Sequence, residues 1–438
     1  MKPRFSLVLV ALLLFRAAAA AEEISNAAGV ADRIGQTVEF QDEVKAVSWS
    51  RSTNGYYLSF GAPYPKQVLS VWVAEKLFDK LPEHRVLLGR TVEIKGELEK
   101  SPSGPLLKLQ AAENFVLLPA DEAILSKPIL DGKQERSQFI AAVAQTFRRG
   151  DFETLETLGQ ELRQSRERLL DGSWLSEAYF AAFRLGPGAP ADHYALAEQR
   201  IAQWERAKPT SPALPLIKVG YHLDLAWRWR TERLAKDVST GRWKKFKSEL
   251  AIARQLLELH AIDKTYPEYY SLMLTIALGE SWKKPDYMAL LTRATQLEPD
   301  YYRYYCQTAV YLLPRWHGRK GEWQQFADQQ RQLHGAGAAG DALYTRIALG
   351  LHDYYFHHFF RDTAISWEVM ASGFDYLTKT HPDSRYLRNL YANWAWRADD
   401  RARLKKLLPI IKPDPDMTVW VNLENVAIAE KFANSPGP

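Results

Sequence analysis

Apolar and polar residues alternate with a period near two between residues 36 and 118, which is typical of strands with one buried face. Asn54-Gly55 favours a tight turn, so residues 37–47 and 56–60 are expected to form a first hairpin. Further strands are predicted over residues 68–73, 91–99, 106–109 and 115–118, with one short helix over 74–81. The pattern predicts a small β domain over residues 34–118.

Three strands, a helix and then two or three strands is the order of an OB-type barrel. Segments 44–48, 57–65 and 88–96 also resemble the small OB-fold modules of exported bacterial proteins, and the Phe-Gly step before Pro63-Tyr64-Pro65 is the distinctive part. The resemblance implies an OB-like barrel. It implies no ligand, because one fold serves many functions.

Aromatic residues of this β domain would provide stacking faces for single-stranded nucleic acid. The candidates are Trp49, Tyr56, Tyr57, Phe60, Tyr64 and Trp72, with Lys45, Arg51 and Lys66 for phosphates. Strand side chains alternate, so about half of these rings must point into the core. Docking of the β domain onto the rest of the chain is therefore preferred, with nucleic-acid binding as an alternative.

The hydrophobic spacing becomes helical after residue 133. Residues 119–133 mix acidic residues, proline and glycine and are predicted to be a linker, whereas residues 134–438 are predicted to be all-α. Gly150 is expected to separate two helices, because leucines recur at helical intervals after it. Short-turn helix pairs of this kind build α-solenoids, in which each pair buries its apolar face on the next.

Internal repetition supports a helical-repeat architecture. Pro267-Glu268-Tyr269-Tyr270 recurs as Pro299-Asp300-Tyr301-Tyr302, a spacing of 299 minus 267, or 32 residues, close to the tetratricopeptide period of about 34. His381-Pro382-Asp383 and Lys412-Pro413-Asp414 suggest a further pair. The predicted fold is a small OB-like β-barrel followed by an all-α, tetratricopeptide-like solenoid of helical hairpins.

Residues 137–334 resemble a bacterial helical family known only as a domain of unknown function. The resemblance is carried by Arg149-Gly150-Asp151-Phe152, by Leu170-Asp171-Gly172-Ser173-Trp174 and by the Leu-Pro-Arg-Trp-His-Gly step at 313–318. No catalytic residues are established for this family, so the resemblance implies none here.

Residues 1–21 have the layout of a secretory signal peptide. Lys2 and Arg4 precede an apolar run that is too short to span a bilayer, and small residues follow at 17–21. We therefore expect a periplasmic or secreted protein. No later segment has 18 uninterrupted apolar residues, so no transmembrane segment is expected after removal of the signal.

Composition and charge exclude several classes of protein. The chain has 438 residues, 46% of them hydrophobic, which fits an ordered multidomain protein. One cysteine, Cys306, excludes an internal disulfide and a multi-cysteine zinc site. Lys and Arg total 57 against 52 acidic residues, and loss of Lys2, Arg4 and Arg16 would leave 54 against 52, so no strong global field attracts polyanions.

The strongest local charge signal lies at residues 228–247, where eight basic residues accompany two acidic residues and are interleaved with Trp229, Trp243 and Phe246, directly after Trp227. Arginines beside aromatic faces suit anionic partners, although a solvated helix face would have the same composition. A ladder of tyrosines is the second signal, with packing between repeats as its alternative. The candidate binding residues are Trp229, Arg242, Trp243, Lys244, Lys245, Tyr269, Tyr270, Tyr301, Tyr302, Arg315 and Trp316.

Two further motifs carry little weight. Asp353 and His357 have the i, i+4 spacing of metal ligands, but no third ligand is evident nearby. Gly335-Ala336-Gly337-Ala338-Ala339-Gly340 matches the dinucleotide pattern, yet a predicted helix precedes it where that chemistry needs a strand. No cofactor and no metal are expected.

The favoured function is that of an exported, non-enzymatic binding or scaffold protein that presents its helical repeats to a protein or an envelope glycan. One alternative is a hydrolytic enzyme acting on the cell wall, for which the sequence selects no catalytic residue. The other is nucleic-acid binding by the OB-like domain, which the sparse basic residues disfavour.

Overall fold

The structure is a computed structural model that describes residues 25–81, 87–127, 129–186, 188–231, 237–259, 262, 264–335, 337–355 and 358–435. The predicted signal peptide at 1–21 lies outside these residues. The chain forms a mixed, open seven-stranded sheet followed by a large all-helical region. None of the helices in the described part of the chain combines the length and apolar composition needed to cross a bilayer.

The N-terminal region is built on strands, as the alternating pattern predicts. Its elements are α1 (Ala27–Val30), β1 (Thr37–Glu43), β2 (Ala46–Ser50), β3 (Gly55–Phe60), β4 (Leu69–Ala74), α2 (Glu75–Phe78), β5 (Thr91–Ser101), β6 (Gly104–Lys108) and β7 (Phe115–Leu117). The strand order is β1-β5-β6-β4-β3-β2, with β7 on β5. Only β4 and β6 pair in parallel among these described strands.

The first predicted hairpin is wrong in its first strand. Residues 37–47 divide at Val44 and Lys45, whose amides donate to the carbonyls of Arg90 and Ser59, in two different parts of the sheet. As a result β1 pairs with β5, and the hairpin that joins β2 to β3 turns at residues 51–54, where Asn54 has a φ of 49° and Gly55 already pairs with Ser50. This division also explains why four strands, rather than three, precede the helix α2.

The helical region begins at Gly132, so its first helix includes the last two residues of the predicted linker at 119–133. Its helices are α3 (Gly132–Arg149), α4 (Phe152–Ser165), α5 (Leu175–Ala181), α6 (Ala191–Ala207), α7 (Leu214–Arg230), α8 (Thr240–Leu259), α9 (Pro267–Gly279), α10 (Lys284–Leu297), α11 (Arg303–Tyr311), α12 (Glu322–Leu333), α13 (Ala338–Leu351), α14 (Phe359–Asp362), α15 (Trp367–Thr380), α16 (Arg385–Arg397), α17 (Arg401–Ile411), α18 (Met417–Trp420) and α19 (Leu423–Asn434). Helices α7 with α8, α12 with α13 and α16 with α17 pack as hairpins.

The glycine predicted to separate two helices does so. Gly150 ends α3 in the left-handed conformation, with φ of 81°, and its amide donates to the carbonyl of Phe147. Asp151 then begins α4 by accepting a hydrogen bond from the amide of Thr154. The local sequence thus determines this helix pair.

The 32-residue repeat is only partly reproduced in three dimensions. Pro267 opens α9, whereas Pro299 and the three residues after it form a turn before α11. The second copy differs because distant arginines bind its carboxylates: Arg166 pairs with Glu298, and Arg168 pairs with Asp300 at 2.6 Å. Equal sequence spacing therefore does not give equivalent helix starts.

Contacts between helices form a closed circuit. Helix α3 contacts α6, and contacts continue through α7, α9, α11, α13, α15 and α16 back to α3. The loop between α4 and α5 enters this circuit, where Trp174 packs on Tyr301 at 5.7 Å and Arg168 lies 3.2 Å from the indole centroid. The helices consequently enclose a central space.

Asp131, which directly precedes α3, binds the start of α16 and so closes the circuit. Its carboxylate accepts hydrogen bonds from the Ser384 hydroxyl at 2.7 Å and from the Tyr386 amide at 3.0 Å, in the first turn of α16. A helix N-terminus favours a carboxylate there, although burial raises the pKa of Asp131. Gly132 permits the approach, because its φ is 65° and a Cβ there would lie 2.5 Å from the Tyr386 Cβ.

The β region also contacts the helices. Gln138 of α3 donates to the Gly89 carbonyl at 2.9 Å, and the Leu423 amide of α19 donates to the Tyr64 carbonyl at 2.8 Å. In the predicted linker, the Ala120 amide donates to the side chain of Gln145. This segment therefore packs on α3 instead of running free between the two regions.

Replacing Asp131 by alanine is expected to lower the free energy of unfolding by about 2–3 kcal/mol, because the Tyr386 amide and the Ser384 hydroxyl lose a charged acceptor. Urea denaturation measures the change. Asp383→Ala is the matched control, since this exposed aspartate lies in the turn before α16. Equal destabilisation by the two variants would show that Asp131 does not hold the circuit closed.

Candidate functional site

The basic and aromatic segment folds into the end of α7 and the start of α8. Trp227 and Trp243 both contact the ring of Phe246, with centroid distances of 5.3 and 5.5 Å. Phe246 is buried, so it anchors both indoles to the helical core. Residues 232–236, which include two of the eight basic residues, lie outside the described ranges.

The Leu-Pro-Arg-Trp step brings a distant segment to the same place. It follows α11, and Trp316 packs edge-on against Trp227 with the ring centroids 5.6 Å apart. The ring of His317 is within 3.1 Å of the Leu278 carbonyl of α9, which fixes the turn. We call the combined set the tryptophan–cation surface: Trp227, Trp229, Arg230, Arg242, Trp243, Lys244, Lys245, Arg315 and Trp316.

The cations of the tryptophan–cation surface lie over aromatic rings. The Lys245 ammonium is 3.9 Å from the Trp229 centroid, and the Arg315 guanidinium is 5.8 Å from that of Trp316. Burial, together with the nearby charge of Arg315, lowers the pKa of Arg230. Within the described residues, Arg242, Lys244, Lys245 and Arg315 form no ion pair with a carboxylate. Their positive charges remain available to a partner.

The four candidate tyrosines lie elsewhere, in and between α9 and α11. Tyr269 and Tyr301 are buried, which matches the alternative of packing between repeats. Tyr301 packs on Tyr304 at 4.7 Å, and the Tyr304 hydroxyl donates to the Pro267 carbonyl. Tyr270 and Tyr302 are half-buried. The structure therefore separates the tyrosines from the cations with which the sequence grouped them.

A central cavity of about 450 Å³ lies inside the helical circuit. Its charged residues come from helices α3, α5, α11, α13 and α16, from the loop before α5 and from the turn after α13. These are the basic Lys133, Arg136, Arg303, Arg346 and Arg397 and the acidic Asp171, Glu177 and Asp353. No sequence pattern indicates the five cations, because they come from four helices and form no local cluster. Asp171 and Asp353 belong to segments that the sequence singled out.

The carboxylates of the central cavity have different partners. Glu177 pairs with Arg136 at 3.2 Å, the exposed Asp353 lies 3.0 Å from the ring of His352, and Asp171 accepts a hydrogen bond from the Ser173 hydroxyl at 2.6 Å. Four cations of this cavity, Lys133, Arg303, Arg346 and Arg397, form no ion pair within the described part of the chain. The cavity therefore has an excess of unpaired positive charge.

Glu268 is a buried acid between two smaller cavities of about 260 and 330 Å³. The hydroxyls of Tyr301 and Ser176 donate to its Oε1 at 2.9 and 3.1 Å, while Oε2 has no hydrogen-bond partner in the described structure. Burial raises the pKa of Glu268 to about 7, and the nearby Glu177 adds to this shift. The group can therefore hold a proton near neutral pH. A glutamate after a helix-opening proline carries no signal of this in the sequence.

Cys306 also lines the central cavity, but its thiol is unreactive. Burial raises its pKa to about 12, and the thiol contacts the backbone carbonyl of Arg346 at 3.7 Å. The sulfur is therefore protonated and contributes packing rather than nucleophilic chemistry.

Two sequence motifs remain, the pair Asp353 and His357 and the glycine-rich segment at 335–340. His357 lies outside the described residues, so its pairing with Asp353 is not described; elsewhere in the described chain no three His, Cys, Asp or Glu side chains are grouped to hold a metal. Gly335 and Gly337 connect α12 to α13, two helices, where a dinucleotide site needs a preceding strand.

The aromatic rings of the β region do not form one stacking face. Phe60 is buried against Phe40, Tyr56 stacks on Phe78 with centroids 3.9 Å apart, and only Trp49 among the six candidates is clearly exposed, at 43%. A single exposed ring does not make a path for successive bases.

Comparison of the chain with protein-family models, curated proteins and solved structures finds no match. The two resemblances inferred from the sequence therefore stay predictions.

Glu268 is expected to make the folded state less stable as pH rises. Its folded pKa of about 7 exceeds the unfolded value, so the folded state holds the proton more tightly and stability falls between about pH 4.5 and pH 7. Glu268→Gln removes the ionisable group and with it this fall in stability. Relative to the wild type, the variant should gain about 3 kcal/mol of unfolding free energy between about pH 4 and pH 8.

Urea denaturation at several pH values measures this gain. Glu113→Gln, at an exposed position of the β region, is the control and should follow the wild type at every pH. A Glu268→Gln curve parallel to that of the wild type would show that Glu268 ionises normally in the folded state.

Proposed function

We propose that this protein is an exported binding protein that holds an acidic envelope glycan on the tryptophan–cation surface. The observation that carries the proposal is the convergence, from two segments that are separated in sequence, of four indoles with cations that form no ion pair within the described residues. Indole faces pack on the apolar faces of pyranose rings, and adjacent Lys and Arg side chains bind carboxylate, sulfate or phosphate substituents. An acidic protein would use the cations but has less need of the indoles.

The finer architecture that we propose fits such a binding role. We infer an OB-type barrel, because β1 and β2 are consecutive yet pair with β5 and β3, so the sheet path returns to its start through Val44 and Lys45. The parallel pairing of β4 with β6 supports the same arrangement. The packed helix hairpins support a tetratricopeptide-like solenoid, and the predicted signal peptide supports a periplasmic or secreted location.

Charge reversal tests the proposal. Arg242→Glu, Lys244→Glu and Lys245→Glu in one variant should weaken binding of the full-length mature chain to polygalacturonate by about tenfold or more, measured by isothermal titration calorimetry. Binding by the wild type should also weaken steeply with salt, since the contacts are ionic. Trp229→Ala should weaken binding in the same direction, because it removes the ring under Lys245.

The matched control reverses three exposed lysines of α17 and α19, Lys405, Lys406 and Lys431, to glutamate. This control has the same net charge as the variant at Arg242, Lys244 and Lys245, and it should bind the polymer like the wild type. An equal loss of affinity in both variants would show that only the net charge of the protein matters, and would contradict the proposed surface. Binding to polyglutamate without binding to polygalacturonate would point to an acidic protein as partner.

Glu268 favours a second candidate, hydrolysis of a wall polymer. It lines the same cavity as Glu177, and an acid with a pKa of about 7 suits proton donation to a leaving group. Glu177, paired with Arg136, would then be the ionised partner. The small, largely buried cavity is the reason why this candidate ranks second.

Release of dye from labelled peptidoglycan tests the hydrolytic candidate. Activity above background that is lost in Glu268→Gln and retained in Glu113→Gln would establish it. Release that is unchanged in Glu268→Gln would exclude this residue as the acid.

A further inference from the structure

Unpaired cations gather inside the helical circuit as well as on its surface. Lys133 comes from α3, Arg303 from α11, Arg346 from α13 and Arg397 from α16, and all four line the central cavity. None of them lies on the helices α7 and α8 that carry most of the tryptophan–cation surface. The central cavity is thus a separate site with its own electrostatics.

Neighbouring side chains hold two of these guanidinium groups in place. Arg346 lies 4.1 Å from the ring centroid of Tyr302 and donates to the backbone carbonyl of Asp171. Arg397 donates to the Asn393 side chain at 2.9 Å and lies 5.5 Å from the Trp394 centroid. These partners are neutral, so they orient the cations without neutralising them.

Like charges that line one cavity repel one another, and water screens part of this repulsion because Lys133, Arg303 and Arg397 are exposed. The local carboxylates supply only part of the counter-charge, because five basic residues face Asp171, Glu177 and Asp353. In addition, Nε of Arg346 is buried without an acceptor in the described structure. The arrangement resembles the polar lining of a ligand site more than that of a packed core.

We propose that the central cavity binds a small organic anion with at least two carboxylate or phosphate groups. A volume of about 450 Å³ lies within the range of small-molecule sites. Guanidinium forks bind either anionic group in bidentate fashion, and four unpaired cations exceed the needs of one such group. The rings of Tyr302, Tyr386 and Trp394 give the body of the ligand apolar contacts.

Isothermal titration calorimetry on the full-length mature chain tests this proposal with two probes, citrate for carboxylates and fructose 1,6-bisphosphate for phosphates, and with glucose as the neutral control. We expect at least one anionic probe to bind and glucose not to bind. The probe that binds identifies the anionic group. Absence of binding by both anions would overturn the proposal.

Two double variants, each of which removes two positive charges, test whether the anion binds in the central cavity. Arg303→Gln with Arg397→Gln should weaken binding of the anion by about tenfold or more, because both exposed side chains lose charged contacts. Lys405→Gln with Lys406→Gln, on the exposed face of α17, should leave the affinity within about twofold. Circular dichroism melts confirm that each variant is folded. Equal affinity of the two double variants would overturn the assignment to the central cavity.

The surface variant separates this inference from the proposed function. Arg242→Glu with Lys244→Glu and Lys245→Glu leaves the central cavity unchanged and should bind the small anion like the wild type. A small anion that loses affinity in this surface variant would place its site on the tryptophan–cation surface and contradict the central site, whatever the result with polygalacturonate.

Discussion

The helical region depends on one contact across 250 residues of sequence, between the carboxylate of Asp131 and the first turn of α16. The Ser384 hydroxyl and the Tyr386 amide offset part of the cost of burying this carboxylate, whose pKa remains raised, and they fix the position of the helix. The loop between α4 and α5 acts in the same direction, because Arg168 binds Asp300 and Trp174 packs on Tyr301. Together these contacts convert a row of helical hairpins into a closed circuit.

Closure of the helical circuit brings charged residues from separate helices together. A row of hairpins would offer one concave wall, but the circuit forms a cavity whose charged residues come from five helices, the loop before α5 and the turn after α13. The same contacts bury Glu268 beside Tyr301, which raises its pKa. The tryptophan–cation surface does not depend on closure, since it forms where α7, α8 and the turn after α11 meet. An outer and an inner site therefore have different structural origins.

Local sequence signals were reliable where neighbouring residues decide the backbone. Gly150 ended a helix, and Asn54 ended the turn between β2 and β3, because glycine and asparagine reach left-handed conformations at low cost. Predictions failed where distant partners compete. The strand predicted over residues 37–47 divided because Val44 and Lys45 bond to different parts of the sheet, and the second copy of the repeat became a turn beside Arg166 and Arg168.

The sequence by itself determined the two-part architecture, the strand and helix periods, and a patch of indoles and cations at 228–247, because each of these depends on residues close together in the chain. Only the tertiary structure decided that Trp316 joins this patch, that Tyr269 and Tyr301 are buried, and that Arg303, Arg346 and Arg397 share one cavity. Those arrangements depend on long-range packing, in which single residues from separate helices meet without any local pattern to announce them.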